Sequence, residues 1–572
     1  MTKVNFHSTK LIWNISFILI GLIFFDYFFV LISLLTSIKL LPFVFPTALF
    51  VSVIASLYLG SKAGLTNFEK SGAVIISVSI MCMAFVLSAF YFDLSWDGQW
   101  YHQAAIYELK SGWNPIFEPI RKFNENNDLS IVHFPKGTWY YAASIYSTFG
   151  KFEAGKSLNF LVLASTILIV YATSIEFGLS KLKSLIVTIL LALNPVIWSQ
   201  ITTYLVDGTL ILYLTIYIAT LFTCYKTTNT TVLFIGVMAI ICLVNTKFTG
   251  LVFFCVFAAF AFFYVLFWKR ELIFKYIILH FISLILAVFI FGFNPYITNT
   301  IERGHPLYPI MGTEKFPSVF EQTGRDDNEL YETPNNIQGK GIITRLFYTQ
   351  FGRPGNAPYN NTQNAVLMYP FSLKMSELSA YHYHETRVSG FGPFFSGVLI
   401  LSLILFIWLL IDIKKSRWIL IFSWLAIIST LFISKHFWWP RFAPHIWLLP
   451  ILPIINSLFY SYSKVRNIYT WSVIGLLFLN GIIVLFVHMA WETRSSIHLF
   501  KQLAELKQNK TEIEINYGWF EKSMQEKLSA WDIKFTQIPI DSILKGKHQE
   551  LKSVVEGYPG AVLFRAKVDK KK

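Results

Sequence analysis

The sequence predicts an all-α protein that crosses a membrane many times, and three observations predict it. The 572-residue chain is 54% hydrophobic and 17% aromatic but only 14% charged, more apolar surface than soluble domains bury. About thirteen apolar runs approach the roughly 20 residues that a membrane-spanning helix needs. Lys and Arg residues concentrate in alternate loops between these runs. The net charge of +15 therefore indicates membrane topology and not nucleic-acid binding.

The apolar runs give the predicted helices in order along the chain. The run from Leu11 is too long for a signal-peptide core and has no small-residue cleavage site after it, so we interpret it as the first span. The predicted spans are 11–35, 40–60, 72–92, 156–177, 183–199, 205–224, 231–246, 248–268, 273–296, 391–411, 418–434, 442–460 and 469–491.

Loop charges predict that the N-terminus is cytoplasmic. With that orientation the inner segments hold fifteen Lys and Arg residues and the short outer loops hold four, a strong positive-inside bias. The long polar loops 93–155 and 298–390 then lie on the extracytoplasmic side of a cytoplasmic (inner) membrane. Binding and catalytic residues concentrate on loops of this kind, because a rigid scaffold positions them. We divide the chain into a transmembrane domain, 1–491, and an extracytoplasmic tail, 492–572, whose alternating stretches predict a small α/β unit.

The first outer loop begins with two carboxylates among large aromatic side chains. Asp93 and Asp97 are followed closely by Trp100, Tyr101 and His102. An interfacial aromatic belt and a solvated helix end would also explain this composition. A helix beginning at Asp97 would, however, place it on one face with Tyr101, and partial desolvation would make the carboxylate a better base.

Further charged residues are predicted at the same membrane depth. Asp207 starts the sixth span, where the helix dipole favours an acid. Lys247, Arg441 and the segment containing His305 place cations on the outer side, against the usual insertion bias. Snorkelling to lipid headgroups is one explanation, and binding of an anion such as phosphate is the other.

The ordered motifs resemble bacterial members of the GT-C glycosyltransferase superfamily, which includes protein O-mannosyltransferases and lipid A aminoarabinose transferases. The resemblance extends over about residues 1–460 and departs from the family in one respect, because the acids Asp93 and Asp97 are not adjacent. The matching segments are Asp97 with Tyr101 and His102, His133–Gly137, Asn194-Pro195 with Asp207, Lys247–Gly250, Gly304–Pro309 and Trp439–Phe442.

The resemblance implies an enzyme that transfers a sugar from a polyprenyl-phosphate donor to a glycan, lipid or protein acceptor outside the cell membrane, as in envelope polysaccharide biosynthesis. It implies Asp97, or else Asp93, as the base of a direct displacement, and Arg441 with Lys247 as stabilisers of the leaving phosphate. Asp207 would orient the acceptor or hold a divalent cation as a cofactor. Tyr101, His102, Trp100 and His305 would bind substrate.

Three other functions stay open at this stage. A glycan polymerase or ligase would share this architecture, and a transporter or flippase would move the lipid-linked saccharide without transferring it. A non-catalytic envelope assembly protein would use the loops to bind a partner. The one clear acid within a span, Asp26, has no evident partner, whereas transporters place acids and broken helices near mid-membrane.

Overall fold

The computed structural model describes an all-α multi-pass membrane protein with a small α/β unit at its C-terminal end, which confirms the predicted fold class. The structure describes residues 6–119, 121, 128–227, 229–319, 333–355, 363–414, 416–460, 463–509, 512–552 and 562–567.

Long apolar helices form the bundle. Within the described ranges, nine helices are long and apolar enough to cross a membrane: Thr9–Leu35, Val44–Lys62, Asn67–Phe90, Phe152–Glu176, Asp207–Lys226, Phe248–Trp268, Arg270–Phe291, Phe395–Asp412 and Lys464–Asn509. Four shorter apolar helices are Lys181–Ala192, Thr230–Thr246, Arg417–Thr430 and Pro444–Phe459. Each of the thirteen predicted spans thus coincides with a helix, although the number that cross the bilayer stays a prediction.

The predicted span 183–199 is wrong as one continuous helix. Its helix ends at Ala192, and a second short helix, Pro195–Gln200, begins directly afterwards. Asn194 caps this second helix by accepting a hydrogen bond from the Val196 N–H at 3.0 Å. Because Pro195 has no N–H, it fits the first position of a helix but cannot continue the preceding one.

The last apolar helix extends far beyond the predicted span 469–491. Lys464–Asn509 is continuous over 46 residues, so the beginning of the predicted tail is helical. Residues beyond the predicted span, including Glu492 and Leu499, are buried. This packing against other segments stabilises the helix where the apolar run has already ended.

Short helices cover the end of the bundle from which segments 93–155 and 298–390 extend, which we call the loop face. They are Gly98–His102, Gln103–Ser111, Asp128–His133, Gly137–Phe149, Phe293–Ile297, Thr298–Arg303, Asn335–Ile337, Ile342–Gln350 and Met375–His382. Gly98–His102 is a π-helical turn, a feature found frequently at functional sites.

The C-terminal unit is a four-stranded sheet with two helices, Glu521–Ala530 and Ile540–Leu544. Its strands are β1 (Ile513–Asn516), β2 (Phe535–Gln537), β3 (Gln549–Leu551) and β4 (Val562–Ala566), in the order β2-β1-β4-β3. Only β1 and β2 pair in parallel. Phe92 and Leu94 join the apolar core of this unit, and the Trp96 and Phe520 rings lie 5.1 Å apart. The unit therefore packs directly on the first long loop, 93–155.

Candidate functional site

Asp93 fixes the backbone turn that precedes Asp97. Its Oδ1 accepts hydrogen bonds from the Ser95 N–H at 2.8 Å and the Ser95 hydroxyl at 2.6 Å, and its Oδ2 accepts from the Tyr204 N–H at 2.7 Å. Gly98 closes over this carboxylate so tightly that a Cβ there would lie 2.1 Å from Asp93 Oδ2. Burial raises the pKa of Asp93, and the charge of Lys156 partly opposes this rise. Asp93 thus holds the turn in place.

Arg441 gathers three carboxylates from distant parts of the chain. Its Nη2 donates to Asp97, its Nη1 donates to Glu385, and its Nε lies 3.1 Å from Asp207 Oδ2. Burial alone would lower the pKa of Arg441, but the charges of Asp97 and Asp207 raise it overall. The guanidinium is therefore a permanent cation, and each of its three nitrogen atoms contacts a different carboxylate.

Asp207 lies between Arg441 and a second cation. It is the first residue of its helix, as predicted, and Lys247 Nζ lies 2.5 Å from its Oδ1. The Gln200 side chain donates to Asp207 Oδ2 at 3.3 Å and accepts from the Gly208 N–H at 2.8 Å. Lys247 is a single extended residue between two helices, which explains how it reaches this depth without a loop.

We call Asp97, Asp207, Lys247, Glu385 and Arg441 the Arg441 cluster. Three carboxylates and two cations give it a net charge of −1 when all five are ionised. The Asp97 side chain is 21% exposed and the Lys247 side chain 25% exposed, whereas Asp207 is 1% exposed. The cluster therefore has a buried centre, Asp207, and two members that a ligand can reach. Because two cations already hold Asp207, its surroundings disfavour a divalent cation.

The ring-bearing residues Trp100, Tyr101 and His102, which the resemblance implies as substrate-binding, lie beside this cluster. Tyr101 and His102 have ring centroids 4.2 Å apart, and Trp100 meets Tyr101 edge-on at 5.8 Å. The Trp139 N–H donates to His102 Nδ1 at 2.6 Å, so the neutral ring carries its proton on Nε2. Burial lowers the pKa of His102 to about 3, and Asp97, Arg441 and Lys247 all act on it electrostatically.

His102 Nε2 is a buried donor at the edge of the cluster. Over the part of the chain that the structure describes, this atom has no hydrogen-bond partner. A buried N–H without an acceptor costs about 1–3 kcal/mol, so its retention favours a ligand atom as its partner. This geometry leaves His102 as a neutral hydrogen-bond donor.

His305 is a predicted site residue whose described contacts do not connect it with Arg441. Its Nδ1 accepts a hydrogen bond from the Leu307 N–H at 3.1 Å, which shapes the turn after Thr298–Arg303. The adjoining Arg303 and Tyr308 contact each other, with the guanidinium 5.5 Å from the ring centre. The Gly304–Pro309 motif thus organises the loop face locally.

A second set of charges surrounds Asp93, and we call Asp93, Glu153, Lys156 and Lys527 the Asp93 cluster. Lys156 Nζ lies 2.7 Å from Glu153 Oε2, and Lys527 Nζ lies 4.0 Å from Glu153 Oε1. Lys527, from the C-terminal unit, also donates to the Asp93 carbonyl at 3.2 Å and to the Gln99 side chain at 2.8 Å. This cluster balances two acids with two lysines and joins the C-terminal unit to the first long loop.

Sequence reasoning did not find Glu385 or Gln200. Glu385 follows the run Tyr381–His384 near the end of the second long loop, and this dense row of polar aromatic residues beside an acid was an available signal. Gln200 had no signal, because its role depends on the short helix Pro195–Gln200 that the continuous apolar run concealed.

Comparisons with known proteins show a distant likeness to solved structures. No family model matches the chain, and no curated protein matches it. Among solved structures, it is similar to the crystal structure of ArnT from Cupriavidus metallidurans bound to undecaprenyl phosphate, with 11% sequence identity and a TM-score of 0.36 over 86% of this chain and 98% of that one. At that level of similarity, residue roles do not transfer between the two proteins.

Proposed function

We propose that this protein is a membrane glycosyltransferase that moves a sugar from a polyprenyl-phosphate donor to an acceptor at the extracytoplasmic surface. The observation that carries the proposal is the contact of the reachable acid Asp97 with the permanent cation Arg441 at the loop face. This contact supplies in one place a base and a phosphate-binding group, the two groups that such a transfer needs.

The donor phosphate would take the outer side of Arg441. Phosphate oxygens match the guanidinium fork in the way that the Asp97 and Glu385 carboxylates do, so they can replace both on Nη1 and Nη2. Nε would stay on Asp207, which keeps the guanidinium in position. Lys247, also held by Asp207, would supply a second positive charge to the phosphate.

Phosphate binding would release Asp97 to act as the base. The acceptor hydroxyl or amine would attack the anomeric carbon while Asp97 takes its proton, and the bond from that carbon to the phosphate oxygen would break. The electron pair leaves with polyprenyl phosphate, whose charge Arg441 and Lys247 stabilise. A single direct displacement inverts the anomeric configuration and requires no covalent enzyme intermediate.

The neighbouring aromatic residues would bind the sugar. His102 stays neutral, so its Nε2–H would donate to a sugar oxygen and gain the acceptor that it lacks in the protein. Tyr101 and Trp100 would supply apolar contact to the sugar or to the first isoprene units. Asp93, with both oxygens engaged, would act as a positioning residue for Asp97.

The test uses purified protein in proteoliposomes with a panel of synthetic undecaprenyl-phosphate monosaccharides and a cell-envelope extract as the acceptor source. Mass spectrometry measures released undecaprenyl phosphate and the mass gained by the acceptor. We expect one donor to be consumed by the wild type, and not by Asp97→Asn. Glu118→Gln is the matched control, because Glu118 is an acid of the same loop with a 55% exposed side chain.

The same assay separates the other functions once an oligosaccharide-bearing donor and a measurement of donor in each leaflet are included. A transporter would carry the donor across the bilayer with its sugar–phosphate bond intact. A polymerase or ligase would consume only donors that carry oligosaccharides. If no donor is consumed, or if Asp97→Asn works as well as Glu118→Gln, the proposed function is wrong.

A further inference from the structure

A third polar cluster lies beside Arg441 and takes no part in the mechanism above. It consists of His384, His488 and Glu492, whose exposures are 4%, 0% and 0%, and we call it the His384 cluster. His488 and Glu492 lie one turn apart on the helix Lys464–Asn509, and His384 comes from the end of the second long loop. Each of the three offers one ligand atom within 4.8 Å of the others.

The geometry of His488 leaves a lone pair without a partner. Its Nδ1 lies 3.0 Å from the Tyr381 carbonyl oxygen, and because a carbonyl only accepts, Nδ1 carries the proton. Nε2 then presents a lone pair, and no donor reaches it within the described ranges, although the side chain is fully buried. A histidine whose other nitrogen donates to a backbone carbonyl is the usual form of a metal ligand.

The remaining two residues have the spacing of ligands on a shared ion. His384 Nε2 lies 3.2 Å from Glu492 Oε2, and two ligands about 2.0–2.1 Å from a tetrahedral zinc ion lie about 3.3 Å apart. The Thr202 hydroxyl donates to the other Glu492 oxygen at 3.1 Å, which fixes the orientation of the carboxylate. Ligand carboxylates are typically held in this way.

We propose that His384, His488 and Glu492 form a binding site for a divalent transition metal of the zinc class. Two imidazole nitrogens and one carboxylate suit zinc, whereas calcium and magnesium prefer oxygen ligands throughout. An ion bound there would join the second long loop to the last helix. In the absence of a metal, the same residues would form a hydrogen-bonded pair of His384 and Glu492 beside an unsatisfied His488.

The proposed metal site and the Arg441 cluster are adjacent, because they contain the consecutive residues His384 and Glu385. Glu385 follows His384 directly, binds Arg441 through its side chain, and accepts a hydrogen bond from the Trp439 N–H on its carbonyl at 3.0 Å. One narrow cleft is lined by His384, Glu385 and Arg441. A metal on His384 would therefore set the position of Glu385 against Arg441, a consequence that rests on the proposed function, whereas metal binding itself does not.

The test measures metal without any sugar donor. Purified protein in detergent is stripped with a chelator, dialysed against micromolar Zn²⁺ and analysed for zinc per chain by mass spectrometry. We expect about one tightly bound zinc in the wild type and at least about a tenfold lower affinity in His488→Gln and Glu492→Gln. His498→Gln is the matched control, because His498 is an exposed histidine of the same helix and this variant should bind zinc like the wild type.

A second measurement uses only the wild-type protein, so it does not depend on whether the variants fold. Co²⁺ in place of Zn²⁺ should give the visible absorption of a tetrahedral ion with nitrogen and oxygen ligands in the wild-type protein, and Zn²⁺ should abolish it. No stoichiometric zinc in the wild type, no tetrahedral Co²⁺ spectrum, or equal zinc in His488→Gln and His498→Gln would overturn the metal site. Donor consumption by the wild type is scored separately, so failure of this proposal is distinct from failure of the transferase proposal.

Discussion

Two acids four residues apart in the first long loop, 93–155, lie in opposite surroundings. Asp93 is fully buried, and both of its oxygens accept hydrogen bonds from the fixed donors of Ser95 and Tyr204. Asp97 has a 21% exposed side chain and contacts the guanidinium of Arg441. The Asp93 cluster balances its charges, whereas the Arg441 cluster carries one surplus negative charge.

The difference separates a carboxylate that holds structure from one that can exchange partners. Displacing the partners of Asp93 would open a backbone turn, because two of its three donors are main-chain N–H groups. Asp97 shares its cation with Asp207 and Glu385, so another anion can replace it without leaving Arg441 unpaired. The Arg441 cluster can therefore exchange one of its acids for a ligand, whereas the Asp93 carboxylate is tied to the backbone by fixed donors.

The sharpest test of this comparison is Asp97→Asn, for which we expect the largest effect. Loss of a general base should lower the transfer rate by about 10²–10⁴-fold. The same change removes the surplus negative charge while the side-chain carbonyl of the introduced amide can still accept from Arg441, so thermal stability should not fall. Turnover and thermal unfolding of one preparation check both expectations, and a large drop in unfolding temperature would assign Asp97 a structural role instead.

Arg441→Lys tests whether the cluster needs a fork or only a charge. Lysine keeps the positive charge but cannot bind Asp97, Asp207 and Glu385 through one planar group. We expect about a 10²-fold loss of transfer and weaker binding of undecaprenyl phosphate, as for removal of one transition-state donor. Lys435→Arg, on the same loop, is the matched control, and equal binding by Arg441→Lys and wild type would contradict the assigned phosphate site.

The sequence was informative about the fold because hydrophobic length alone predicts a spanning helix. It failed at residues 193–194, where the apolar run continues although Asn194 and Pro195 end one helix and start another. It also could not show that the helix after 491 continues, because burial of Glu492 and Leu499 depends on packing against other segments.

The candidate site was predictable only in part for the same reason. Asp97, Asp207, Lys247 and Arg441 were expected at one membrane depth, and the structure brings them into contact. Membrane depth gives no lateral position, however, so it could not show that Asp97 contacts Arg441 while Asp93 contacts Ser95 and Tyr204, or that His305 contacts Leu307. Nor could it place Glu385, which lies in a long loop whose path the sequence pattern does not fix.

Asp93→Asn should reverse the effects expected of Asp97→Asn. An amide has one acceptor oxygen and one NH₂, so either the Ser95 donors or the Tyr204 N–H would face a donor. A buried donor left unsatisfied costs about 1–3 kcal/mol, which should appear as a lower unfolding temperature. Activity per folded molecule should fall far less than in Asp97→Asn. If Asp93→Asn instead loses about 10²–10⁴-fold in transfer rate with an unchanged unfolding temperature, Asp93 is the base and Asp97 is not.

The smallest effect concerns Lys527, which links the C-terminal unit to the Asp93 cluster. Burial lowers the pKa of Lys527 to about 8, although the charges of Glu153 and Asp93 oppose this fall. An unfolded lysine titrates near pH 10.4, so between about pH 8 and 10 the unfolded chain binds more protons than the folded one. The free energy of unfolding should therefore gain about 1–2 kcal/mol from this group as pH rises through that window, and nothing from it below pH 7.

Comparison of thermal unfolding at pH 7 and pH 10 in wild type and Lys527→Met isolates this contribution. Lys522→Met is the matched control, since it lies on the same helix, Glu521–Ala530, and leaves Lys527 in place. Only Lys527→Met should lack the extra stabilisation at pH 10, because it has no amine whose pKa is lowered by burial in the folded protein. If all three proteins gain equally, Lys527 is not buried against Asp93 and Gln99, and the C-terminal unit does not hold the first long loop in the way that these contacts require.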